Sequence, residues 1–209
     1  MFVPQCEDST LLQIGEILNG TYQITRLIAQ GGMGIVYEGI DLFLHRKVAI
    51  KVLVTDIDSE DYEKELKLFQ TEINLCGNLL HPNIVQIYYA GTYHSLPYLV
   101  MEYIDGVSIN EYMSKQRCCS WKKVAILIRN IAKGLAYIHK NNILHRDIKP
   151  SKILVTANGM PILIDFGISI KKNLVGIETN DGELSGTIRY MSPEQVAGQS
   201  DQIDERSDI

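Results

Sequence analysis

His145-Arg146-Asp147-Ile148-Lys149-Pro150-Ser151-Lys152-Ile153-Leu154-Val155-Thr156-Ala157-Asn158-Gly159-Met160-Pro161-Ile162-Leu163-Ile164-Asp165-Phe166-Gly167 is the stretch on which the fold of this chain turns. Two apolar runs rich in β-branched residues flank Asn158-Gly159. That dipeptide suits a two-residue type I′ turn, because both central positions need φ > 0. The pattern predicts a β-hairpin. If the loop is those two residues alone, Ile153 faces Ile164 and Lys152 faces Asp165, with facing Cβ atoms about 5 Å apart.

Such a hairpin returns Asp165 to the loop that carries Asp147 and Lys149. Two carboxylates beside a lysine suit metal-assisted transfer of a charged group. Asp147 is placed to take a proton from a nucleophile, Lys149 to neutralise charge on the migrating group, and Asp165 to hold a hard cation. A surface turn with solvated charges is the plainer reading of any one aspartate; a pair fixed by one hairpin argues against it.

Around this stretch the chain reads as an ordinary globular protein. Its 209 residues allow one good core or two small lobes. Hydrophobic residues make up 45% and charged residues 22%, and no segment approaches the roughly 18–20 unbroken apolar residues of a membrane span. Residues 1–10 lack the basic start and apolar run of a secretory leader, so a cytoplasmic protein without a membrane segment is expected. Cys6, Cys76, Cys118 and Cys119 show neither metal-ligand spacing nor a dense disulfide framework and are read as reduced thiols. A net charge of −5 carries no sign of the basic footprint of a nucleic-acid binder.

Residues 1–20 show no sustained period and are expected to form a loose arm ending near Asn19-Gly20. Tyr22, Ile24 and Arg26 alternate as in a strand, and Ile28-Ala29-Gln30-Gly31-Gly32-Met33-Gly34-Ile35-Val36-Tyr37 makes a glycine-rich turn into a second strand. Glycines there let backbone N–H groups approach phosphate oxygens, although an ordinary hairpin bend uses the same residues. Residues 47–53 read as a buried strand with Lys51 in its middle, and a buried ammonium needs a partner. The next segment carries a helical stripe of Tyr62, Leu66, Phe69, Ile73 and Cys76, with Glu72 at its edge as the candidate acid. His81-Pro82 closes that helix region. Strands are expected over 84–89 and 98–103, separated by a turn around 94–97. Residues 121–140 form a long helix whose apolar face is Val124, Leu127, Ile128, Ile131, Leu135 and Ile138. Gly134 on it marks either close packing or a tolerated helix glycine.

Taken together these residues resemble the protein kinase family, whose pattern is His-Arg-Asp-x-x-x-x-Asn followed by Asp-Phe-Gly. The chain has His145-Arg146-Asp147 and Asp165-Phe166-Gly167, with Lys152 where the pattern has the asparagine that holds a second magnesium. Val48-Ala49-Ile50-Lys51 matches the Val-Ala-Ile-Lys lysine, and Ser192-Pro193-Glu194 stands for Ala-Pro-Glu. Against Gly-x-Gly-x-x-Gly-x-Val the chain has Ala29, Gly31, Gly34 and Val36, and its Gly-Gly-Met-Gly form looks like bacterial (Hanks-type) serine/threonine kinases. The resemblance implies a bilobal α+β fold over 21–209: an antiparallel β N-lobe to about residue 103, then a mostly helical C-lobe, incomplete at its C-terminus.

It also implies ATP-dependent phosphorylation of serine or threonine hydroxyls of proteins, with magnesium. Asp147 would be the base, Lys149 its neighbouring cation, Lys51 the grip on the α- and β-phosphates, and Glu72 the acid that holds Lys51. Nucleotide contacts would come from Ile28, Ala29, Gly31, Gly32, Gly34, Val36, Ala49, Lys51, Met101, Glu102, Tyr103 and Leu154, and a magnesium ligand from Asp165. Thr187, with Lys149, favours serine and threonine over tyrosine as acceptors, and Thr179 and Ser185 are candidate phosphorylation sites able to pair with Arg146. The family continues past the position of Ile209, so the match covers about two thirds of a complete domain. Glu194 lacks the arginine that usually pairs with it, and a partner, an oligomer or a longer parent chain is expected to cover apolar surface of the 121–140 helix. Lys152 leaves two readings open. Its pairing with Asp165 competes with magnesium and leaves a nucleotide-binding or scaffolding pseudokinase, or nucleotide displaces the pair and Lys152 neutralises a phosphate oxygen.

Overall fold

The computed structural model describes residues 12–31, 34–53, 73, 76–115, 120–165 and 188–209. The chain divides into two compact units, Met1–Tyr62 with Tyr88–Tyr103, and Glu63–Ile87 with Ile104–Ile209.

The first unit is built on a six-stranded sheet. Its strands are β1 (Ile17–Leu18), β2 (Tyr22–Gly31), β3 (Gly34–Asp41), β4 (Arg46–Val52), β5 (Ile87–Tyr93) and β6 (Leu96–Glu102), in the order β1-β2-β3-β4-β6-β5. Strand β4 shows why the run 47–53 becomes a strand: Val48, Ile50 and Val52 alternate onto one face and are fully or almost fully buried. They join Leu18, Ile24, Ile35, Tyr37, Tyr98 and Val100 in one core, where each aliphatic side chain contributes about 1.5–3 kcal/mol by leaving water. The arm expected over 1–20 is, from Leu12 on, part of this unit. Leu12 and Leu18 enter the core, and the Leu12 N–H donates to the Tyr37 hydroxyl at 3.2 Å. A two-residue strand has no period to read, which is why the sequence hid it.

The turn between β5 and β6 is shorter than the expected 94–97. His94 and Ser95 alone take positive φ (46° and 65°), the pair of left-handed residues that a tight hairpin asks for. Pro97 therefore lies inside β6, fully buried, with its carbonyl accepting from the Leu53 N–H at 3.0 Å. Strand β5 starts at Ile87 rather than 84. In the second unit Ile84 bridges Leu163, and the Val85 N–H donates to the Leu163 carbonyl at 2.9 Å.

The second unit contains β7 (Gly106–Ser108), α1 (Ile109–Lys115), α2 (Trp121–Lys140), a 3-10 turn (Pro150–Lys152), β8 (Ile153–Thr156), β9 (Pro161–Leu163), α3 (Pro193–Val196) and two further 3-10 turns, Ser200–Gln202 and Glu205–Asp208. Helix α2 matches its expected bounds. The Ser120 hydroxyl caps its start, accepting from the Lys122 N–H, and His139 and Lys140 sit in the last turn, favourable to the helix dipole. Its buried stripe is Leu127, Gly134, Leu135 and Ile138. Ile128, expected on that face, is 59% exposed; one position is about 100° of rotation, enough to carry it off a narrow seam. At Gly134 a Cβ would sit 3.1 Å from Leu163 Cδ1 and 3.3 Å from the Asn83 carbonyl, so this glycine marks close packing of α2 on β9.

Strands β7, β8 and β9 form an antiparallel three-stranded sheet. The hairpin is where expected, but its register is shifted by one residue: Ile153 pairs with Leu163, Leu154 with Ile162 and Val155 with Pro161. Only Gly159 of the Asn-Gly pair is left-handed (φ 80°). The Thr156 N–H donates to the Met160 carbonyl (3.0 Å) and the Gly159 N–H to the Thr156 carbonyl (2.9 Å), which closes a three-residue loop. Such a loop needs one left-handed residue rather than two, and the Thr156 hydroxyl adds a hydrogen bond to the Asn158 side chain.

Candidate functional site

In the first unit, the flap between β2 and β3 pairs Ala29 with Val36 and Gly31 with Gly34. Gly34 has φ +124°, and a Cβ there would lie 2.3 Å from the Val52 carbonyl oxygen, so no other residue fits without moving β4. Val36 pairs in turn with Lys51, and Ala49 with Met101. Lys51 is only 3% exposed, and Met101 is buried. Ile28 is 42% exposed, Glu102 ends β6, and Tyr103 follows it. Gly32 and Glu72 lie outside the described residues, as do Phe166, Gly167, Thr179, Ser185 and Thr187.

A charged cluster that sequence reading missed holds Tyr103. Glu38 is buried; its carboxylate pairs with Arg26 at 2.7 Å and Lys47 at 3.0 Å. Arg26 also donates to the Tyr103 hydroxyl at 3.1 Å, and the Lys47 ammonium lies 5.2 Å from the Tyr103 ring centre. Burial pushes the Glu38 carboxyl up, but hydrogen bonds from Lys47, Arg26 and Tyr103 outweigh it and hold the group below the usual carboxylate range. Arg26 and Glu38 are direct cross-strand partners, a signal legible only once the strand register is known.

In the second unit, Asp147 is buried, with Oδ2 3.1 Å from the Lys149 ammonium. No donor among the described residues is aligned to hydrogen-bond that oxygen. The loop before it is held from a distance. Asp208, 4% exposed, accepts from the His145 N–H (2.8 Å) and the Arg146 N–H (2.6 Å), and its Oδ2 lies 2.9 Å from His139 Nε2. Gln195 donates to the Arg146 carbonyl at 2.8 Å. These contacts fix Arg146 at φ 61°, a left-handed conformation that costs a non-glycine residue about 1–3 kcal/mol. His145 is fully buried, and burial pushes its imidazole pKa down despite Asp208 and Asp147 nearby. Its Nδ1 accepts from the Asp147 N–H at 3.4 Å, as a neutral ring does.

Lys152 closes the 3-10 turn, and its ammonium lies 2.5 Å from Asp165 Oδ2, with the two side chains 11% and 19% exposed. The pair forms, though not by direct cross-strand facing. Ile164 is the residue opposite Lys152, its N–H donating to the Lys152 carbonyl at 2.9 Å; Asp165 follows at φ 55°, and its carboxylate reaches the ammonium from there. Leu154, on β8, pairs with Ser108 and Ile162. Glu194, for which an arginine was missed, accepts from the Ser207 hydroxyl, and that hydrogen bond lowers its pKa.

Among the described residues no group of three or more His, Cys, Asp or Glu converges as a metal cage. A single carboxylate such as Asp165 nevertheless fits magnesium, which takes one or two carboxylates and fills its shell with water and substrate phosphates. Lys152 cannot join as a ligand, because an ammonium has no lone pair to give.

The model of the protein kinase domain matches residues 22–209. The serine/threonine-protein kinase PrkC of Bacillus subtilis is 37% identical over 185 residues, covering 88% of this chain and 28% of the relative. PknB of Mycobacterium tuberculosis is 36% identical over 197 residues, covering 92% and 31%. The chain thus spans less than a third of the length of these relatives. Among solved structures, the PknI kinase domain of M. tuberculosis superposes with a TM-score of 0.72 at 26% identity, covering 95% of this chain and 71% of that one. Sequence match, sheet and helix pattern agree: the chain belongs to the protein kinase family, in the bacterial serine/threonine form.

Proposed function

We propose that this chain transfers the γ-phosphate of ATP to serine or threonine hydroxyls of proteins. The observation that carries this reading is Asp147, a buried carboxylate with an ammonium 3.1 Å from an oxygen on which no described donor is aligned. A general base needs an acceptor oxygen held in place, and the buried carboxylate of Asp147 beside the Lys149 ammonium supports that role. Lys149, beside it, neutralises charge that builds on the transferred group. Lys51, buried in β4, grips the α- and β-phosphates, and Glu72 is its positioning acid. Gly31, Gly32 and Gly34 present backbone N–H groups to phosphate. In the first unit Ile28, Ala29, Val36, Ala49 and Met101 are the proposed contacts to base and ribose, with the backbone of Glu102 and Tyr103 hydrogen-bonding the base; Leu154 is the proposed nucleotide contact of the second unit. Asp165 holds magnesium, which when bound screens the phosphate charge. ATP as substrate puts the reaction in the cytoplasm.

The close Lys152–Asp165 pair favours a second reading, a nucleotide-binding scaffold without transfer. Thermal shift with ATP, with and without magnesium, followed by γ-phosphate transfer to the chain itself and to a generic protein substrate, separates the two. Magnesium-dependent stabilisation with transfer is expected; stabilisation without transfer establishes the scaffold.

A further inference from the structure

We propose that Lys152 is a built-in replacement for a second metal ion, so that the site takes one divalent cation, on Asp165, and never two. The inference rests on the reading of Asp165 as the metal-binding carboxylate. The kinase pattern places at the position of Lys152 an asparagine whose side chain ligates the second magnesium. An asparagine offers a carbonyl oxygen; the lysine offers three N–H donors and no lone pair. The substitution therefore removes a ligand and installs a charge of the same sign as the missing ion.

The structure places that charge on the proposed metal-binding carboxylate itself. The ammonium sits 2.5 Å from Asp165 Oδ2, and both side chains are largely withdrawn from water, where Coulomb effects are least screened. Lys152 is not free to swing away with its backbone. Pro150 begins the 3-10 turn, the Lys152 N–H donates to the Lys149 carbonyl at 2.9 Å, and the Lys152 carbonyl accepts from the Ile164 N–H at 2.9 Å, one residue before Asp165. One hairpin thus fixes both partners. A carboxylate has two oxygens and about four lone-pair sites, so one ammonium on Oδ2 does not by itself exhaust its capacity to ligate a cation. A second dication loses the oxygen ligand that the pattern provides and meets the ammonium's repulsion besides; the lost ligand sets it apart from the cation on Asp165. The same ammonium takes over the second ion's task of neutralising phosphate oxygens.

The test counts ions. Manganese is titrated into the chain with a non-hydrolysable ATP analogue, chain in excess over nucleotide, and bound ions per nucleotide are counted by electron paramagnetic resonance. One ion is expected for the wild type and two for Lys152→Asn. Lys152→Met, which removes the charge without adding a ligand, is expected to stay at one ion, bound more tightly than by the wild type. Two ions on the wild-type chain would overturn the inference whatever the variants do, as would one ion on a Lys152→Asn chain that melts like the wild type. Analogue bound by the wild type with no metal at all would also overturn it while leaving nucleotide binding intact. No analogue binding by any of the three chains would instead overturn the kinase reading on which the inference stands.

Discussion

Replacing Asp208 with alanine should loosen the loop that carries Asp147, although the two residues lie 61 positions apart. The carboxylate accepts from two backbone N–H groups, His145 and Arg146, and lies within hydrogen-bond distance of the His139 ring. Alanine strands both amide donors, and an unsatisfied buried donor costs about 1–3 kcal/mol. The His145 N–H is fully enclosed and bears the larger share, whereas water can reach the Arg146 N–H, since that residue is exposed. Relaxation of the left-handed Arg146 (φ 61°) returns part of the loss, of order 1 kcal/mol. The net expectation is a destabilisation of about 1–3 kcal/mol, a sizeable fraction of the roughly 5–15 kcal/mol that holds a domain together. Urea unfolding gives the total, and amide hydrogen exchange at His145 and Arg146 reports the loop itself. Asp208→Asn keeps one acceptor oxygen and should fall between alanine and wild type. A change below about 0.5 kcal/mol in Asp208→Ala, with exchange at the two amides unaltered, would show that Asp208 does not hold the loop.

Asp147→Asn should lower phosphoryl transfer by about 10²–10⁴-fold while nucleotide binding by thermal shift stays at the wild-type level; transfer at the wild-type rate would mean that the base is another group. Gly34→Ala combines φ +124° with a Cβ 2.3 Å from a backbone oxygen and should cost at least about 1–3 kcal/mol from conformation alone, read as a fall in melting temperature; an unchanged melt would contradict the close approach of β3 to β4. Glu38 titrates below the ordinary carboxylate range in the folded chain, so its pairing contributes fully above the unfolded-state titration and is lost as pH falls through the lower folded-state value. Glu38→Gln should therefore flatten the acid limb of a stability–pH profile, and an equally steep limb in the variant would refute the role given to Glu38.

Local pattern carried much of this fold. The stripe that defines α2 repeats every three or four residues across 20 residues, so its bounds matched. Alternation over β4 placed Val48, Ile50 and Val52 inside and left Lys51 as a buried lysine in a strand. Where the signal was short, the reading slipped. Strand β1 is two residues long, and the β5–β6 turn needed only His94 and Ser95. Asn158-Gly159 announced a hairpin truly but named the wrong loop, because two loop lengths compete for that dipeptide and Thr156 helps close the longer one.

For the candidate site, the sequence alone determined which groups stand near one another along the chain: the lysine two positions after Asp147, and the lysine in place of asparagine at 152. Tertiary structure alone decided what those groups do to each other. A one-residue shift put Ile164, not Asp165, opposite Lys152, and a left-handed residue at 165 restored the ion pair. Asp208 reached the backbone of His145 and Arg146, and Glu38 tied Arg26 and Lys47 to the Tyr103 region. The physical reason is range. Periodicity and turn chemistry act over a few residues and can be read in a window of that width, whereas which distant acid satisfies a buried amide is set by the packing of the whole unit.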